Sequence, residues 1–119
     1  MVGIGPFLPH QDTPFRDCAP GAAEQTVRCV AILRLLLPGA NLPATTALAT
    51  LDPHGRQKAV LAGANVIMPN LSPAEVRDNY SLYDHKAHSG AEAAEGLRLL
   101  QQQMEEIDYT LCIDRGDSR

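Results

Sequence analysis

The sequence predicts an α/β fold with about three parallel strands and covering helices, because short apolar runs alternate along the chain with amphipathic, helix-like stretches. This order predicts strands joined by right-handed crossovers. A parallel sheet needs cover on both faces and at both edges, which so few units cannot supply by themselves. The chain also opens directly on a strand-like run, Met-Val-Gly-Ile-Gly. We therefore expect it to form the last units of a larger (β/α) barrel. The expected strands are residues 1–5, 42–46 and 65–68.

The first predicted unit consists of a strand, a long loop and a helix. Residues 1–5 are expected as the strand, and the prolines that follow favour an extended loop up to Gly21. Residues 22–37 are expected as a helix, because apolar side chains recur there at the i, i+3, i+4 spacing. Glu24 and Arg34 lie in its expected first and last turns, where their charges favour the helix dipole.

The second predicted unit ends its strand in two adjacent hydroxyl groups, those of Thr45 and Thr46. The next helix is expected to begin only at Pro53, because Asp52 is a favourable N-cap and proline is favoured at the first helical position. Gly63 is expected to end this helix in a left-handed conformation.

The third predicted unit completes the barrel part, residues 1–83, and ends in a helix on which Tyr80 and Tyr83 share a face. Residues 84–119 are expected to form a C-terminal extension that closes with a polar tail. The extension has two expected elements, a helix and a strand, at residues 91–107 and 110–113.

The composition excludes several classes of function. The 119 residues carry a formal net charge of −4 and no basic patch interleaved with aromatic side chains, which argues against nucleic-acid binding. The 3 cysteines are widely spaced and form no CxxC pair, so neither a disulfide framework nor a zinc site is expected. We expect a cytoplasmic protein, because the sequence has neither a signal peptide nor an apolar run that could span a membrane.

The two threonines are the first candidates for a binding site, because ligands of parallel α/β folds bind at the carboxyl ends of the strands. The alternative is that one hydroxyl packs and the other bonds local backbone, and both interpretations stay open. Six other side chains invite a metal hypothesis, but their spacing matches no standard site and we interpret them as solvated. They are His10, Asp12, Asp17, His54, His85 and His88. Gly3 and Gly5 lack the pattern of a dinucleotide fingerprint and are expected to permit close backbone approach.

Five segments of the chain, in order, resemble the C-terminal third of the HydE-type radical-SAM proteins that mature [FeFe] hydrogenase, a family similar to biotin synthase. The segments are residues 2–10 with 12–15, then 35–38, 43–47, 61–70 and 80–83. The resemblance implies a radical-SAM (β/α) barrel of the TIM type. It also implies an enzyme that cleaves S-adenosylmethionine at a [4Fe–4S] cluster and acts on a small precursor of the hydrogenase cluster.

The resemblance further implies which residues line the substrate cavity. In this family the residues that match Thr45 and Thr46 hydrogen-bond polar or anionic groups of the substrate. Other matching positions form the walls of the cavity, and they are Tyr80, Tyr83, Met68, Leu8 and Met1. No catalytic residue and no metal ligand is assigned within this chain.

The chain departs from the family pattern in its cluster ligands. The CxxxCxxC motif is absent, and His88, Gly96 and Leu99 stand where some relatives carry cysteines of an accessory cluster. We therefore expect the chain alone to bind neither cluster nor S-adenosylmethionine, and to be inactive. Its expected partners are the missing N-terminal barrel portion, the hydrogenase maturation machinery and a small-molecule substrate. Two alternatives remain, another biotin-synthase-like enzyme such as a methylornithine synthase, and a non-catalytic α/β interaction module.

Overall fold

The computed structural model describes residues 1–69 and 93–117, with side chains given from residue 96 onward in the second range. Helices and short strands alternate through the described residues. In chain order they are α1 (Ala23–Leu36), β1 (Pro43–Ala44), α2 (Thr46–Leu51), α3 (Gly55–Leu61), β2 (Val66–Ile67) and α4 (Ala93–Glu105).

The two strands form a parallel pair in which Pro43 lies opposite Val66 and Ala44 opposite Ile67. Helices precede, separate and follow these strands, so the predicted α/β class is confirmed. The closed barrel remains a prediction.

The prediction of a strand at residues 1–5 is wrong, although this segment lies alongside β1. The Val2 N–H donates to the Asn41 carbonyl at 2.8 Å, and Leu42 instead bonds β2 by accepting from the Val66 N–H. Because backbone groups alternate sides along a strand, the backbone of Pro43 faces the N-terminal segment. Proline has no N–H to donate, so the hydrogen bonding between the N-terminal segment and β1 does not continue at Pro43 after the bond from Val2 to Asn41.

Helix α1 confirms the predicted helix to within one residue at each end. Arg34 in its last turn has a second role that the sequence did not reveal. Its guanidinium donates at 2.8 Å to the carbonyls of Pro38, Ala40 and Gly63. It therefore fixes the loop after α1 and the end of α3 together. Gly63 has φ +117°, which confirms the predicted left-handed end of that helix.

Helix α2 corrects the prediction for the second unit, because the chain becomes helical at Thr46 instead of Pro53. Asp52 is not an N-cap but the residue that closes α2, and α3 begins at Gly55. The two short helices meet closely, since a Cβ on Gly55 would lie 2.6 Å from the Leu48 carbonyl oxygen. The predicted helix is therefore present as α3, two residues later than expected at its start, and the unexpected α2 packs so closely before it that only glycine fits at position 55.

The core lies between the strands and the helices. Leu42 and Leu48 are each 1% exposed, and Val2, Ile4 and Ile67 pack against this core while remaining partly exposed. Its buried members are Val30, Leu42, Ala44, Leu48, Ala59, Val60, Ala64 and Met104.

Helix α4 confirms the predicted helix at residues 91–107 in its described part. The residue that follows it, Glu106, accepts a hydrogen bond at 2.7 Å from the buried side-chain amide of Gln57 on α3. The predicted strand at residues 110–113 is wrong, because these residues have no regular structure. The Leu111 N–H donates to the Gln101 side chain, so it is not available to a strand partner.

Two sequence predictions lie partly or wholly outside the described residues. The helix that carries Tyr80 and Tyr83 belongs to residues that the structure does not describe, and the boundary at residue 83 stays a prediction.

Within residues 1–69 and 93–117, the helices are too short or too polar to cross a membrane.

Candidate functional site

The strands and the N-terminal segment have two sides of different character, because side chains alternate along extended backbone. The side toward the helices carries Val2, Ile4, Leu42, Ala44 and Ile67, all of which belong to the core or pack against it. The opposite side, which we call the open face, carries Met1, Gly3, Gly5, Pro43, Thr45, Val66 and Met68. Met1 is 71% and Met68 54% exposed, so the open face is only partly covered.

Thr45 lies at the carboxyl end of β1 and is the N-cap of α2. Its Oγ1 accepts a hydrogen bond from the Leu48 N–H at 3.4 Å. The local backbone bond considered from the sequence therefore exists, and it uses the hydroxyl only as an acceptor. The hydroxyl proton remains available for donation to another group.

Thr46 has a different position, as the first residue of α2. Its carbonyl accepts from the Thr50 hydroxyl at 3.0 Å, while its own half-buried hydroxyl has no hydrogen bond to the described part of the chain. The two adjacent hydroxyls are thus not equivalent, because only that of Thr45 caps the helix.

Gly5 lies close to Thr45 on the open face. A Cβ built on Gly5 would lie 3.1 Å from Thr45 Oγ1, whereas a Cβ on Gly3 would meet Pro43 Cγ at 3.7 Å. The neighbour that approaches Gly5 is thus the Thr45 side chain, and sequence reasoning did not connect these two residues. The alternation Gly-x-Gly in an extended segment beside the threonine strand was the available signal.

The remaining candidate residues are placed unequally. Met68 follows β2 in register with Thr45, so these two lie at the same end of the open face. Met1 lies toward the other end, about 13 Å away along four residues of extended chain. Leu8 is half-buried in the loop after the N-terminal segment, and Tyr80 and Tyr83 fall outside the described residues. The cavity-lining role of all these residues stays a prediction.

The chemistry available on the open face is that of a neutral binding surface. Its side chains are apolar apart from the Thr45 hydroxyl, and Val66, which sequence reasoning missed, adds an apolar wall opposite Pro43. One hydroxyl donor beside apolar side chains can orient an acceptor group of a ligand.

Among the residues that the structure describes, Asp52 in the turn after α2 has a shifted pKa. Lys58 Nζ donates to Asp52 Oδ2 at 2.5 Å, and the His54 N–H donates to Asp52 Oδ1 at 2.9 Å. The hydrogen bond from Lys58, followed by that from His54, lowers the pKa of the Asp52 carboxylate. This ion pair fixes the turn between α2 and α3 and is not part of the open face.

The described side chains do not fit an iron–sulfur cluster. Cys18 lies in the first loop, Cys29 on α1 and Cys112 in the C-terminal tail, and the part of the chain that the structure describes groups no three potential metal ligands together. The His10 ring accepts from the Asp12 N–H at 3.1 Å, which is a local turn contact.

Comparison with known proteins gives three curated relatives. The chain is 51% identical over 86 residues, 72% of its length, to the "[FeFe] hydrogenase maturase subunit HydE" of Thermotoga maritima. It is 34% identical over 83 residues, 67% of its length, to a 3-methylornithine synthase of Methanosarcina acetivorans. The corresponding protein of Methanosarcina barkeri is 29% identical over 84 residues, 71% of the chain. The matches cover 25%, 23% and 23% of these relatives, so the chain spans about a quarter of their length. No family model matches the chain.

Proposed function

This chain is a relative of the HydE-type radical-SAM proteins, and on that premise we propose that it forms the C-terminal part of a maturase for the active-site cluster of [FeFe] hydrogenase. In this role it supplies walls of the substrate cavity, while residues outside this chain supply the remaining barrel strands and the hydrogenase maturation machinery receives the product. The observation that carries the proposal is the 51% identity over 86 residues.

The two-sided arrangement of the strands supports the proposal. In a (β/α) barrel the helices form an outer ring and the inner side of the strands faces the barrel interior. The core of this chain lies on the helix side, so the open face is the side that a closed barrel turns inward. Thr45 lies at the carboxyl end of its strand, which is where active sites of such barrels lie.

The proposed substrate site joins hydroxyl donors to apolar walls. We assign Thr45 and Thr46 the binding of a polar or anionic substrate group. The walls are assigned to Met68, Leu8, Met1, Tyr80 and Tyr83. Apolar walls exclude water, which protects a reactive intermediate from side reactions.

The cofactors of the proposed whole enzyme are S-adenosylmethionine and a [4Fe–4S] cluster, which supply radical chemistry when bound. Because the described residues do not fit a cluster, we assign its ligands to residues outside this chain and expect the chain alone to be inactive. A cytoplasmic location is part of the same proposal.

A chimera tests the proposed function directly. In the Thermotoga maritima protein, the segment that aligns with this chain is replaced by the aligned residues of this chain. The resulting chimera is then used to mature an [FeFe] hydrogenase. We expect hydrogen evolution by the matured hydrogenase, and none when the aligned segment is simply deleted. Iron content and visible absorption establish that the chimera holds its cluster. A chimera that holds the cluster but yields no active hydrogenase contradicts the proposal.

The second candidate function is that of a 3-methylornithine synthase, favoured by the matches at 34% and 29% identity. The same replacement in the Methanosarcina acetivorans protein distinguishes the two. Formation of 3-methylornithine by this chimera, with no hydrogenase maturation by the other, favours the second candidate. Inactivity of both favours the non-catalytic interaction module.

A further inference from the structure

The open face has two positions without a side chain, Gly3 and Gly5, on the segment beside β1. Both are exposed, and neither has a positive φ, so alanine can adopt the same backbone conformation at either position. Conformational freedom therefore does not explain why these positions are glycine. The two positions differ instead in which atoms a side chain placed there would meet.

The two spaces differ in what they border. A Cβ on Gly5 would lie 3.1 Å from Oγ1, 3.6 Å from Cγ2 and 3.7 Å from Cβ of Thr45. The Thr45 side chain would have to move by a few tenths of an ångström, and its cap bond to the Leu48 N–H is already 3.4 Å long. A Cβ on Gly3 would make only an ordinary contact with Pro43, at 3.7 Å.

Gly5 therefore borders the Thr45 hydroxyl on the open face. Oγ1 accepts from the backbone of α2, which leaves its proton for an acceptor that arrives from elsewhere. A methyl group at position 5 would occupy the space next to that oxygen. It would also shift the oxygen away from the position that α2 fixes.

We propose that Gly5 is a specificity-determining position that keeps the Thr45 hydroxyl open to a hydrogen-bond acceptor of a small ligand, a carboxylate or carbonyl group. The proposal rests on the proposed function, because it assumes that the open face lines a ligand cavity. Gly5 touches no reacting atom and acts through Thr45, so it is a positioning residue.

The test uses the 119-residue chain and sodium acetate as a minimal carboxylate, titrated at constant ionic strength. Backbone NMR signals of Thr45, Thr46 and Leu48 report binding near the hydroxyl. Gly3→Ala is the matched control, since it adds the same methyl group on the same segment without approaching Thr45. We expect saturable shifts with similar affinity in the unmodified chain and in Gly3→Ala, and at least about tenfold weaker binding in Gly5→Ala.

A double-mutant cycle separates this role from a general structural one. Thr45→Val removes the hydroxyl but keeps the shape, so adding Gly5→Ala to it should cost no further affinity. Equal acetate binding by Gly5→Ala and Gly3→Ala overturns the proposal, as does an additive effect or the absence of saturable shifts in the unmodified chain. The titration involves neither cluster nor hydrogenase, so an inactive chimera with an intact Gly5 effect overturns only the proposed function.

Discussion

The two sides of the extended segments differ in what their residues contribute. On the side toward the helices, Leu42 and Ala44 are no more than 3% exposed and belong to a continuous core. On the open face the same strand presents Thr45, and its neighbours there include two glycines and the exposed Met68. The helix side therefore holds the fold together, whereas the open face is only partly covered.

The largest expected effect is on the helix side. Leu42→Ala should lower the free energy of unfolding by about 2–5 kcal/mol, because it leaves a cavity in a fully buried site. Met68→Ala, on the open face, should change it by no more than about 0.5 kcal/mol. Urea unfolding of the 119-residue chain, followed by circular dichroism, measures both.

Similar losses of unfolding free energy in Leu42→Ala and Met68→Ala would contradict the difference between the two sides. Such a result would mean that the open face is packed as tightly as the core in solution. A change in the slope of the urea transition would also be informative, because it reports altered compactness and not altered packing.

The second prediction separates the two threonines. Thr45→Val should lower the free energy of unfolding by about 1 kcal/mol, because it removes the N-cap of α2. Thr46→Val removes no hydrogen bond to the described residues and should cost less than about 0.5 kcal/mol. In the maturation chimera both should weaken substrate binding, which a raised KM in the hydrogenase maturation assay would reveal.

Equal stability losses would contradict the capping role of Thr45. An unchanged KM for both variants would remove the two hydroxyls from the proposed site. An effect of Thr45→Val on KM alone would restrict the site to the hydroxyl that Gly5 borders.

Long periodic elements were predictable from the sequence, and short ones were not. Helix α1 is 14 residues long, with an acidic residue in its first turn and a basic one in its last, and its bounds were correct to within one residue. Helix α2 has only 6 residues directly after a strand, and its apolar Thr-Ala-Leu run resembles a strand as much as a helix. The Pro43 gap in the ladder and the close contact at Gly55 depend on tertiary neighbours that no local pattern contains.

The candidate site was predictable in kind but not in geometry. Strand ends indicated where Thr45 would lie, and register places Met68 at the same end. The capping role of Thr45 was offered only as an alternative, because it depends on α2 beginning at once. The pairing of Gly5 with Thr45 joins residues 40 positions apart, which composition and periodicity cannot connect.

The last prediction concerns Asp52, which lies in the turn between α2 and α3 and outside both sides of the comparison. Its lowered pKa, caused by the Lys58 hydrogen bond and then by the His54 N–H, means that the folded chain favours the charged form. The stabilisation is therefore present above the ordinary value of 3.8 and is lost as the pH falls through the lower, folded value. Asp52→Asn keeps an acceptor for His54 but removes the charge, and should cost less than about 1 kcal/mol at neutral pH, because Lys58 is largely exposed. Urea unfolding of both chains should converge at acidic pH, whereas a difference that persists unchanged would show that the Asp52 charge contributes nothing to the fold.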